Sequence, residues 1–175
     1  MPTSKKQIVF ITGGARSGKS SFALKEASKI RGRKALIATA EPLDEEMKER
    51  IERHKKERGR DWDTFEEPLR IADAIRETTS NYKVTVIDCL TLWLSNIMHT
   101  DLDVNDEIDR LIESFRPTNN DSQVYIVSNE VGMGIVPDNE LARKFRDFAG
   151  ILNREVAELA DAVYLIAAGI PLKIK

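Results

Sequence analysis

The chain has 175 residues, 41% of them hydrophobic and 32% charged, a balance that suits one globular domain over residues 1–175 with one sizeable core. Its net charge of −2 points away from nucleic acid and anionic membranes as partners, and its single cysteine, Cys89, excludes an internal disulfide and Cys-based zinc clusters. No apolar run approaches the length of a membrane span, and residues 1–6 are not followed by a signal-peptide core, so the expected location is the cytoplasm.

The first predicted element is a strand over 7–12, built on Ile8-Val9-Phe10-Ile11. It runs into Gly13-Gly14-Ala15-Arg16-Ser17-Gly18-Lys19-Ser20, which fits the phosphate-binding pattern G-x-x-x-x-G-K-[ST]. A helix is predicted next, over 19–30, with Phe22, Ala23, Ala27 and Ile30 on its apolar positions. The order strand, loop, helix is the setting this motif requires. Glycines let backbone N–H groups curl around phosphate oxygens, and the helix N-terminus adds its positive dipole end. Lys19 is placed to neutralise the β- and γ-phosphates, and Ser20 to ligate Mg²⁺.

A strand over 34–40 and a charged helix over 44–58 follow. The helix begins acidic, ends basic and stops at Gly59, so the macrodipole alone accounts for its charges. Met47, Ile51, His54 and Arg58 share one face, with Arg50 one turn before His54 and Arg58 one turn after. Flanking cations disfavour imidazolium and leave a neutral, nucleophilic nitrogen. Spacing alone leaves open both a solvated surface histidine and a phosphate-handling one.

Helix 68–78 precedes strand 83–88, whose Val84-Thr85-Val86-Ile87-Asp88 puts a carboxylate at the end of a buried strand. Asp88 is read as reaching Mg²⁺ or its bound water, the alternative being a cap for the helix over 90–99. Cys89 is expected to be small and buried, Trp62 and Trp93 to pack, His99 to be structural, and Arg31, Arg33 and Lys34 to form a solvated turn. Helix 104–115 and strand 123–128 follow. Asn129-Glu130-Val131-Gly132-Met133-Gly134-Ile135-Val136-Pro137 then reads either as a wall for a large, partly apolar substrate or as a packed connection. The helix over 140–159 carries Leu141, Phe145, Phe148, Leu152, Val156 and Leu159 as one stripe, with Asp138 or Asn139 as cap and Gly150 as a weak point. Strand 162–167 is followed, across a connection too short for a parallel crossover, by an antiparallel edge strand over 170–174. The alternation predicts an α/β fold, with a mostly parallel sheet and the site at the carboxyl ends of its strands.

Taken together these segments resemble the bifunctional adenosylcobinamide kinase/adenosylcobinamide-phosphate guanylyltransferase family of cobalamin biosynthesis. The resemblance covers nearly the whole chain. Besides the glycine-rich loop it rests on Ile37-Ala38-Thr39-Ala40, on Glu46-Met47 with Arg50-Ile51 and His54, on Asp88-Cys89-Leu90-Thr91-Leu92-Trp93-Leu94-Ser95-Asn96, on Ser128 through Pro137, on Phe145-Arg146-Asp147 with Gly150 and Leu152-Asn153, and on Ala168-Gly169-Ile170-Pro171-Leu172. It implies a RecA-like P-loop fold and two reactions. The first is phosphorylation of adenosylcobinamide by ATP or GTP. The second is GMP transfer from GTP through a covalent histidine intermediate, at the position of His54. The implied nucleotide contacts are Gly13, Gly14, Ala15, Arg16, Ser17, Gly18, Lys19, Ser20, Ala38, Thr39, Ala40, Lys55, Lys56, Glu57, Arg58, Glu66 and Asp88. Where some members carry Glu, this chain has Asp88, the same charge on a shorter arm. The resemblance also implies a ring-like oligomer, a homotrimer. A plain small-molecule kinase with His54 idle remains an alternative reading. So does a GTP-dependent switch, although no Asn-Lys-x-Asp guanine motif is present.

Overall fold

A computed structural model describes residues 7–41, 49, 52, 61–116 and 121–175. Of the helix expected over 44–58, Glu49 and Glu52 are described and both are helical; His54, Lys55, Lys56, Glu57 and Arg58 lie outside the described residues.

The elements, in chain order, are β1 (Gln7–Gly13), α1 (Lys19–Ser28), β2 (Lys34–Ala38), β3 (Trp62–Glu66), α2 (Ile71–Asn81), β4 (Val84–Asp88), α3 (Leu90–Met98), α4 (Val104–Ser114), β5 (Gln123–Val127), α5 (Glu140–Leu159), β6 (Ala162–Ala167) and β7 (Ile170–Lys173). The strands form one sheet in the order β3-β2-β4-β5-β1-β6-β7. All neighbours are parallel except β6 and β7.

The inner strands are apolar on both faces because both faces are covered. Ile8, Phe10, Ile37, Ile87, Val124 and Ile126 pack with Ile71, Trp93, Leu94, Leu111, Leu152 and Val156 from α2 to α5. Their neighbours along the strands, Val9, Ile11, Leu36, Val86 and Val127, face the other way onto Ala23 and Ala27 of α1. Small residues on α1 let it lie close to the sheet. Truncating a fully buried residue such as Ile11 or Leu152 to Ala would cost about 2–5 kcal/mol. Among the described residues no helix is long and apolar enough to cross a membrane.

Several expectations need correction. β3 is an additional strand at the sheet edge, in register with β2 from Lys34↔Trp62 to Ala38↔Glu66. Its Trp-Asp-Thr-Phe-Glu lacks an apolar run because three of its five positions are exposed. The helix predicted over 68–78 is Ile71–Asn81. It starts late because the Glu67 carboxylate accepts the N–H groups of Leu69 and Arg70. It runs on because Thr78, Thr79, Ser80 and Asn81 bond the carbonyls four residues back. Arg31 and Arg33 are exposed in the connection before β2, as a solvated turn implies, but Lys34 is not part of it. Lys34 begins β2, buried, with its ammonium on the Gly32 carbonyl, and Arg33 donates to Asp63 and to the Tyr82 hydroxyl. Strand β2 ends at Ala38 rather than residue 40, and β7 at Lys173. Despite Gly150, α5 is an unbroken helix of 20 residues. Asn139 caps it, accepting the Ala142 N–H at 3.0 Å.

Candidate active site

The carboxyl ends of β1, β2, β4 and β5 lie at one edge of the sheet, as parallel pairing requires. The 13–20 loop leaves β1 there. Gly13 has φ +149°, and a Cβ on it would stand 2.4 Å from the Ile166 carbonyl oxygen, so no other residue fits. Gly18, at φ +99°, is the N-cap of α1. That helix start has no side-chain cap and no acidic residue in its first turn. Its first N–H groups and its positive dipole end are left for an anion. Lys19 is only 6% exposed, and its ammonium lies 2.6 Å from the Gly14 carbonyl.

A cavity of about 400 Å³ opens beside this loop. Ala15, Arg16, Ser17, Gly18, Lys19 and Ser20 line one side, and Ala38, Ala40 and Asp88 come from β2, the segment after it and β4. Leu24, Leu36, Leu92 and Val127 supply an apolar wall. The structure therefore brings nine of the residues named from the sequence to one cavity. Gly13 and Gly14 are part of the same loop but are not among the cavity's lining residues. Asp88 is not the helix cap: Cys89 holds the N-cap position of α3.

Thr39 and Glu66 are placed differently. Thr39 is fully buried, with its hydroxyl donating to the Cys89 carbonyl and accepting the Cys89 N–H, at 2.7 and 2.8 Å. It joins the ends of β2 and β4 and does not line the cavity. Glu66 ends the edge strand β3, exposed, in register with Ala38. Cys89 is buried, as expected, and it also lines the cavity. Burial, with the Asp88 carboxylate beside it, pushes its thiol up to about 11.

Asn129, which the sequence offers only as the first residue of the 129–137 loop and not as a nucleotide contact, lines the cavity. Its N–H donates to the Thr91 hydroxyl at 2.6 Å, and its carbonyl accepts from the Asn153 amide at 3.0 Å. Its place one residue past β5, at the carboxyl edge, was the available signal. Val131 packs against the core, but residues 132–136 are exposed and are not a packed connection. Met133, Ile135 and Val136 are 82%, 96% and 57% exposed. The Glu130 carboxylate accepts the N–H groups of Gly132 and Met133, which folds the loop on itself.

Ser20 and Asp88 present a hydroxyl and a carboxylate to the same cavity. Hard oxygen donors of this kind fit Mg²⁺, which takes one or two protein oxygens and completes its shell with phosphate and water.

Two solved structures share the architecture. One is a prototypical ATPase from the type III secretion system of pathogenic bacteria, with TM-score 0.55 and 14% identity over 93% of this chain and 52% of that one. The other is the RadB recombinase, with TM-score 0.53 and 14% identity over 93% of this chain and 74% of that one. Both support a P-loop α/β fold.

Closer relatives are found by sequence. The chain is 38% identical to the bifunctional adenosylcobalamin biosynthesis protein CobP of Pseudomonas aeruginosa, over 94% of this chain and 95% of that protein. It is 36% identical to the bifunctional adenosylcobalamin biosynthesis protein CobU of Escherichia coli, over 96% and 99%. The CobU family model, described as cobinamide kinase / cobinamide phosphate guanyltransferase, matches residues 9–174. With near-complete coverage on both sides, this chain belongs to the cobinamide kinase / cobinamide phosphate guanyltransferase family.

Proposed function

We propose that this protein phosphorylates the aminopropanol hydroxyl of adenosylcobinamide with ATP or GTP, then transfers GMP from GTP to the new phosphate. The products of the second step are adenosylcobinamide-GDP and pyrophosphate. The observation that carries this reading is the cavity that residues 15–20, Ala38, Asp88 and Asn129 share in a chain of this family. Its apolar wall suits a nucleobase, and its uncapped helix start suits the phosphates.

In the kinase step the substrate alcohol releases its proton to solvent and its oxygen bonds to the γ-phosphorus as the β–γ bridging bond breaks, and a nucleoside diphosphate leaves. Lys19 and the α1 N-terminus offset charge that accumulates on the phosphate oxygens. In the second step a neutral His54 imidazole attacks the α-phosphorus of GTP. A nitrogen–phosphorus bond forms, the α–β bridging bond breaks, and pyrophosphate leaves. A phosphate oxygen of the acceptor then displaces the imidazole and takes the GMP. Ser20 and Asp88 would hold Mg²⁺, which supplies further neutralisation of phosphate charge when bound. Lys55, Lys56, Glu57, Arg58 and Glu66 belong to this reading as nucleotide contacts on the strength of the resemblance alone, whereas Thr39, fully buried and hydrogen-bonded to Cys89, supports the cavity wall from behind. The same reading includes a cytoplasmic homotrimer. The exposed Ile170, Leu172 and Ile174 near the chain end are apolar surface that a partner subunit would cover. Light scattering gives the oligomer mass directly.

The decisive experiment is incubation with GTP labelled at the α-phosphate. Acid-labile label should stay on the native protein and vanish in His54→Ala. An unlabelled native protein that still phosphorylates adenosylcobinamide would leave a kinase alone.

A further inference from the structure

The sequence motif Ala168-Gly169-Ile170-Pro171-Leu172 has no part in the chemistry above, yet its turn lies against the phosphate loop. Ala168 and Gly169 form the two-residue turn between β6 and β7, with register Ala167↔Ile170 on either side. Both have positive φ, 49° and 81°, as tight hairpin turns require. The Gly169 N–H donates to the Ser17 carbonyl at 2.9 Å. A Cβ on Gly18 would sit 3.6 Å from the Gly169 Cα, and one on Gly13 would meet the Ile166 carbonyl oxygen at 2.4 Å. The loop thus rests on the β6–β7 hairpin at its beginning and again at Ser17 and Gly18. The Ser17 hydroxyl is buried with no hydrogen-bond partner among the described residues, so backbone bonds do the holding.

We propose that the Ala168–Gly169 turn is a positioning element for the phosphate loop, with the Gly169 N–H setting the orientation of the Ser17–Gly18 peptide. In a planar trans peptide the C=O and the next N–H point in opposite directions. Anchoring the Ser17 carbonyl on the hairpin therefore turns the Gly18 N–H away from it, and Gly18 lines the cavity. The loop is held in its anion-binding shape before any ligand arrives, which lowers the ordering cost of binding. This inference rests on the reading that residues 13–20 bind nucleotide phosphates.

The test is a substitution series at Gly169. A Cβ there meets nothing within 4 Å, so the series probes backbone conformation without a clash. Valine is strongly disfavoured at positive φ, whereas asparagine tolerates it. Gly169→Val should weaken binding of GTP and of inorganic triphosphate alike, by roughly tenfold or more, while Gly169→Asn stays within about threefold of the native protein. Loss of binding to GTP but not to triphosphate would overturn the proposal, as would native affinity in a folded Gly169→Val. Should Gly169→Val not fold, Gly169→Ala carries the same test with smaller strain: weaker binding of both ligands supports the proposal, and native affinity overturns it. Hydrogen exchange at the amides of residues 17–20 gives a readout independent of nucleotide. Faster exchange in the strained variant than in Gly169→Asn supports the holding role, and equal exchange overturns it. A native protein that binds neither ligand, yet shows the exchange difference, would sink the nucleotide reading and leave the holding role standing.

Discussion

Helices α1 and α4 begin in opposite ways. At α4 the Asp103 carboxylate accepts the N–H groups of Asn105 and Asp106, and Asp106 and Glu107 add negative charge to the first turn. The chain satisfies that helix start with its own side chains. At α1 a glycine occupies the N-cap, no side chain caps it, and the positive end carries a buried lysine. One start contributes to stability; the other is left open for a ligand. The difference lies in the cap and first-turn residues of each helix, since the backbone hydrogen bonding that follows is the same.

The largest effect that would sharpen this contrast is at Lys19. Lys19→Ala should lower both phosphoryl and guanylyl transfer by roughly 10²–10³-fold, by analogy with loss of a preorganised charge partner in a transition state. Steady-state rates with the corrinoid substrate measure it, and full kinase turnover would contradict the placement of Lys19. Gly13→Ala comes next. Its Cβ would be forced against the Ile166 carbonyl, so β1 and β6 must separate, and a thermal melt should show several degrees of loss together with weaker GTP binding.

A third helix start, at α3, tests burial in place of charge. Its N-cap is Cys89, whose thiol stands near 11 against an ordinary 9.0. The unfolded thiol loses its proton first, so folding stability should fall as pH rises from 9.0 toward 11. Chemical denaturation across that range should show a steeper fall in the native protein than in Cys89→Ala. The smallest effect belongs to α4. Asp103→Ala should cost about 1 kcal/mol of stability and leave GTP affinity unchanged. A matching loss of affinity would erase the distinction between the two helix starts.

Most of this architecture could be read along the chain. The apolar runs of β1, β2, β4 and β5 are long because those strands are buried on both faces, and burial on both faces writes itself into composition. The edge strand β3 escaped because an edge needs few apolar residues, and Trp62 and Phe65 alone do not make a run. The extension of α2 escaped because Thr78, Thr79, Ser80 and Asn81 are ambiguous in isolation. The same hydroxyls and amide that stop one helix can bond back onto the carbonyls of another.

The candidate site divides along the same line. Sequence alone determined the phosphate loop, the carboxylate of Asp88 and the family, because glycine, lysine and aspartate are demanded locally by geometry and charge. Tertiary structure decided which residues share the cavity. It drew Asn129 in through bonds to Thr91 and Asn153, which lie 38 and 24 residues away. It turned Thr39 inward to join β2 to β4. It also set the β6–β7 turn under the loop, a contact between residues 17 and 169. Contacts between parts of the chain so far apart follow from strand order and register, and these emerge only when the whole sheet is assembled.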